Sequence, residues 1–89
     1  ERKLVDRLAQ RLQTLWQGRA ESADVVDVVE LGFAYAVALS RRGSAEDDAA
    51  VIALVGELRP LVADQRYVPV LLETLASVSR SAAQARSGS

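Results

Sequence analysis

Cysteine and histidine are absent from all 89 residues. Disulfides, thiol nucleophiles, imidazole bases, Ser-His-Asp triads and nearly every zinc site are thereby excluded. Aromatic residues are scarce at 4%, against a hydrophobic fraction of 49%. The apolar content is therefore Val, Leu and Ala, which suits helices packed closely through small side chains. Neither sign of charge dominates. Eleven Lys and Arg against twelve Asp and Glu give a formal net charge of −1, so no global field draws the chain to nucleic acid or to an anionic membrane. Long apolar runs are lacking too: Val25 to Leu39 is interrupted by Asp27 and Glu30 and is shorter than the roughly 20 residues of a bilayer span. No membrane contact is expected, and a cytoplasmic location is the working expectation. Without Met at position 1 or a basic-plus-apolar leader, the chain reads as a processed product or a piece cut from something longer.

What is present is helical periodicity. Leu4, Val5, Leu8, Leu12, Leu15 and Trp16 recur on one face and predict helix 1 over Glu1 to Gln17. Gly18 is its candidate C-cap, and Ser22 or Asp24 can N-cap helix 2, Ala23 to Arg42. Val25, Val26, Val28 and Val29 would suit a strand, but the apolar run continues to Leu39, beyond strand length. Gly43 ends that helix, and Ser44 with Asp47 forms a capping-box pattern for helix 3, Ala45 to Arg59. Val51, Ile52, Leu54, Val55 and Leu58 share its apolar face, with Glu46, Ala49, Ala53 and Glu57 opposite. Pro60 should break it, since a residue before proline is biased away from the helical region. Leu61 to Arg66 reads as a connector. Helix 4 begins near Tyr67 with Pro69 in its first turn, and its stripe is Val68, Leu71, Leu72, Leu75, Val78 and Ala82. No fixed-period repeat stands out. The expected fold is all-α: a four-helix bundle-like single domain over 1–84, oligomeric, with 85–89 a frayed tail or cloning remnant.

Three groups of residues invite a functional reading. Glu46, Asp47 and Asp48 form the densest acidic cluster, yet consecutive helical residues point about 100° apart and cannot jointly ligate a hard cation. A solvated helix N-terminus is the expectation, with no metal and no cofactor. Asp27 and Glu30 lie a turn apart on the one polar stripe of helix 2, with Ala34 and Arg41, and like charges there need compensation. Arg7 or Arg11 of helix 1 is the predicted partner. Helix 2 also carries two apolar flanks. If Val26, Val29, Phe33 and Val37 face helices 1 and 3, then Val28, Leu31, Tyr35 and Leu39 stay exposed and form an interface.

Short resemblances accompany these patterns. Trp16-Gln17-Gly18 resembles the turn of the small secreted WXG hairpin proteins, and Leu31-Gly32-Phe33-Ala34-Tyr35 looks like the first helix of a tetratricopeptide unit. Arg2, Val5, Asp6, Leu8, Leu12, Leu15, Trp16 and Arg19, with Tyr67, Leu71, Ser79 and Gln84 near the C-terminus, resemble the first and last helices of the helical chorismate mutases. That resemblance implies a small all-α dimer in which Arg2 and Arg19 hold substrate carboxylates while Ser79 and Gln84 line the pocket. The family's catalytic lysine in the later part of the first helix has no counterpart, since the only lysine is Lys3. Arg2, Lys3, Arg7, Arg11 and Arg19 make the first twenty residues locally basic, as in a helical DNA-binding regulator, but no aromatics interleave. The expectation favoured by composition is a bacterial, non-enzymatic helical interaction or oligomerisation module whose partner is another protein or a second copy.

Overall fold

The computed structural model describes residues 2–19 and 24–87, with Arg2 described by its backbone alone. These residues form α1 (Arg2–Gln17), α2 (Val25–Arg42), α3 (Ala45–Leu58) and α4 (Val68–Ser87), with a 3-10 turn at Arg59–Val62 and no strand among them. The described residues are all-α in class, as the periodicity predicts. None of the described helices is long and apolar enough to cross a membrane.

Local chemistry sets the boundaries. Asp24 holds extended backbone, and its carboxylate accepts the Val26 N–H at 2.9 Å, satisfying one of the donors that a helix start leaves unpaired. Ser22 and Ala23 lie outside the described residues. Gly43 closes α2 at φ 72°, with its N–H bonded to the Leu39 carbonyl; a side chain would be strained in that left-handed conformation. Gly18 follows α1 but takes no positive φ. Ser44 and Asp47 complete the capping box in both directions.

At the C-terminal half the α3 helix ends at Leu58, just ahead of Pro60 as expected. Arg59, ahead of Pro60, stays helical at φ −51° and ψ −49°. The chain tightens into the 3-10 turn, whose first turn accepts a proline because no N–H is needed there. The last helix runs past position 84. Helix α4 continues through Ser87, so 85–87 are helical. Arg86 anchors them, donating to the Gly43 carbonyl and pairing with Asp48. Gly88 and Ser89 lie outside the described residues.

Each helix packs chiefly on its neighbour in the chain, α1 on α2, α2 on α3 and α3 on α4, while α2 and α4 touch lightly. The core is centred on α3. Val51, Leu54, Val55 and Leu58 are buried, with Leu39 and Ala36 of α2, Val62 of the turn, and Leu72 and Ala76 of α4 around them. The polar face predicted for α3, Glu46, Ala49, Ala53 and Glu57, is exposed. On α4 the buried stripe is Leu72, Ala76 and Ser79, whereas Leu71 and Val78, expected inside, are exposed. At Gly32 the packing is closest: a Cβ there would lie 2.8 Å from both Leu58 Cδ2 and Trp16 Cζ3.

Candidate interaction surfaces and a buried ionic corner

Helix α2 does have two apolar flanks, but the protein buries the one expected to be open. Tyr35 is 8% exposed and Leu39 2%, and the half-buried Val28 and Leu31 pack against the core with them. Tyr35 and Leu39 are therefore interior within one chain, while Val28 and Leu31 keep part of their surface. The other flank is the more open of the two, although Val29 and Phe33 also pack in part against the core. Val26 is exposed, and Val29, Phe33 and Val37 are only half-buried. The cause is the light contact between α2 and α4, which leaves this side of α2 without a full covering.

The gap forms two adjoining grooves. One, of about 310 Å³, lies between Val29, Phe33 and Ala34 of α2 and Val68 and Leu71 of α4. Its neighbour, of about 300 Å³, extends past Val25 and Val26 to Leu61 and Val62 of the 3-10 turn. Val29, Glu30 and Val68 line both, so the two largely apolar grooves share a boundary that carries one carboxylate. Asp27 follows a turn away on the exposed stripe that also holds Ala34 and Arg41, as the helical spacing predicts.

A second apolar surface lies on α1. Ala9 and Trp16 are buried, and Leu12 is packed against the core. Leu4, Leu8 and Leu15 are left out, the last two each 51% exposed. At about 100° per residue these three fall within roughly 40° of one another. Arg11 and then Arg7 lie along one edge of this ladder, both exposed. The pairing expected between Arg7 or Arg11 and Asp27 or Glu30 does not form within the chain. Among the described residues no ion pair involves any of the four, and all four are exposed. Arg42 takes the inter-helix role instead, 3.9 Å from Asp6 of α1.

Arg42 belongs to an ionic corner that the sequence pattern did not disclose. Asp47 and Asp48, expected to be solvated, are 3% and 2% exposed. Arg42 Nε donates to Asp47 Oδ2 at 2.8 Å and Nη2 to Oδ1 at 2.6 Å, a bidentate pair. Asp47 Oδ2 also accepts the Ser44 N–H at 3.2 Å. Asp48 Oδ2 is paired with Arg86 from the end of α4. The Arg42 hydrogen bonds, aided by those from Ser44, hold the Asp47 carboxyl below the ordinary carboxylate range although burial opposes them. The bond to Asp47 likewise raises Arg42. Burial pushes the Tyr35 phenol up, with Arg42 opposing and Asp47 adding to the shift. Carboxylates bonded in this way are structural anchors, poorly suited to act as general bases. Sequence reasoning missed them because Arg42 and Asp47 meet across the Gly43 turn and Arg86 arrives from a distant helix. The run Arg41-Arg42-Gly43-Ser44 ahead of Asp47-Asp48 was the available signal.

The residues carried by the chorismate mutase resemblance are dispersed in character. Arg19 donates to the Trp16 carbonyl and to Glu57, with its guanidinium 4.2 Å above the Trp16 ring. Ser79 is buried, and among the described residues its hydroxyl has no hydrogen-bond partner, and Gln84 is exposed. Neither groove is lined by any of the three. The side chain of Arg2 lies outside the described residues.

The chain as a whole matches no protein-family model, no curated protein and no solved structure.

Proposed function

We propose that this chain is a non-enzymatic helical interaction module that receives an amphipathic helix in the groove between α2 and α4. The observation that supports this is the groove itself, an apolar channel between two helices, lined by Val29, Phe33, Val68 and Leu71 with Glu30 at its rim. Apolar grooves of this kind take the apolar face of a helix, with side chains at i, i+3, i+4 and i+7 as anchors. The acid at the edge favours a basic flank on the incoming helix.

The test is a heteronuclear NMR titration with a synthetic helical peptide carrying leucines on one face and arginines along its flank. Shifts concentrated at Val29, Phe33, Val68 and Leu71, and abolished when the peptide leucines are replaced by serine, are expected. A titration that leaves these resonances unmoved overturns the reading.

A further inference from the structure

We infer that the helix this groove receives is α1 of a second copy of the chain. The inference rests on the interaction-module reading above and adds the identity of the partner. Its basis is that the chain carries both halves of one contact on different surfaces. The ladder of Leu4, Leu8 and Leu15 is exposed on α1, with Arg7 and Arg11 along its edge. The groove offers Val29, Phe33 and Leu71, with Glu30 at its edge and Asp27 on the exposed stripe a turn from Glu30. Apolar face meets apolar face, and basic edge meets acidic edge.

The dimensions agree. Arg7 and Arg11 are separated by about 6 Å of helix rise and Asp27 and Glu30 by about 4.5 Å, so each pair spans one turn. Leu4 to Leu15 covers about 16 Å, and the α2 wall of the grooves from Val25 to Phe33 about 12 Å, with Val68 and Leu71 of α4 also lining them. None of these four charges is paired within one chain among the described residues. Charges on opposite edges of complementary surfaces steer association and fix register. Ladder and groove are different patches, so the contact is heterologous, and a copy lacking one half retains the other.

Sedimentation equilibrium of the chain over a concentration series tests this. The wild type is expected to rise above the mass of one chain. Leu8→Glu, which breaks the ladder, and Leu71→Glu, which breaks the groove, are each expected to stay at the single-chain mass, and their mixture to regain a 1:1 complex. Both positions are exposed, and circular dichroism verifies that each variant remains helical. Arg11→Glu is expected to weaken association at least tenfold, and adding Glu30→Arg to restore it. A wild type of single-chain mass at millimolar concentration overturns the inference. Association untouched by Leu8→Glu and Leu71→Glu does the same. A single-chain species that still binds the synthetic peptide in its groove overturns only the second-copy assignment, whereas loss of both overturns the module reading with it.

Discussion

Arg42 reaches two acids, Asp6 and Asp47, and acts electrostatically on the Tyr35 phenol, and the balance between burial and pairing at this corner decides how it responds to change. The Asp47 side chain is 4% exposed and that of Arg42 27%. Removing one partner of a buried pair strands the other charge, a loss of about 3–5 kcal/mol. Arg42 is partly screened, so Arg42→Ala is expected at the lower end, about 3 kcal/mol, measured by urea unfolding. Arg59 and Glu73 have a comparable pair, but their side chains are about half exposed, and Arg59→Ala should change stability by less than about 1 kcal/mol. The pH response follows from the lowered Asp47. Its folded pKa lies below that of the unfolded chain, so the unfolded state binds more protons in the interval. The stabilisation is complete above the ordinary carboxylate range and is lost as pH falls through that range towards the lowered folded value. Thermal unfolding of Asp47→Asn should show a shallower decline in Tm below about pH 5 than the wild type. Parallel curves would remove Asp47 from the account. Ser79 presents the opposite case, a buried hydroxyl with no partner among the described residues. An unpaired buried polar group costs about 1–3 kcal/mol, so Ser79→Ala should leave Tm unchanged or raised; a fall of several degrees would show that the hydroxyl is bonded.

The two helical glycines, at positions 32 and 56, separate propensity from packing at the level of the element. Gly56 is exposed, and a methyl group added there would meet nothing within 4 Å, so Gly56→Ala should gain about 0.5–1 kcal/mol from the helix alone. At Gly32 the same gain is outweighed. A methyl group would press on Leu58 and Trp16, and overpacking costs about 1–3 kcal/mol. Gly32→Ala should therefore lower Tm by roughly 4–8 °C, measured by calorimetry. Helix positions were legible in the sequence because caps and periodicity are local: Asp24, Gly43, and Ser44 with Asp47 each act within a few residues. The inner face of α3 was legible for the same reason. Which flank of α2 closes was not, since Tyr35 and Val29 are equally apolar in pattern and only the placement of α1 and α4 distinguishes them. The extension of α4 to Ser87 was hidden because Arg86, not an apolar stripe, holds it.

On the scale of the molecule, sequential packing explains why apolar surface remains open. Helix α1 packs chiefly on α2, and α2 meets α4 only lightly; a closed bundle would cover both the leucine ladder and the groove. Soluble monomers rarely leave contiguous apolar tracts uncovered, and such tracts mark interaction surfaces. The open groove, its acidic edge and the basic-edged ladder thus form one account, in which the charges expected to pair between α1 and α2 of one chain pair between two chains. Isotope-filtered nuclear Overhauser spectroscopy on an equal mixture of carbon-13-labelled and unlabelled chains examines that contact directly. The account predicts cross-chain effects between the Leu8 methyls and the Phe33 ring. Chains that stay single, or that associate with no cross-chain effect at Phe33, would contradict it.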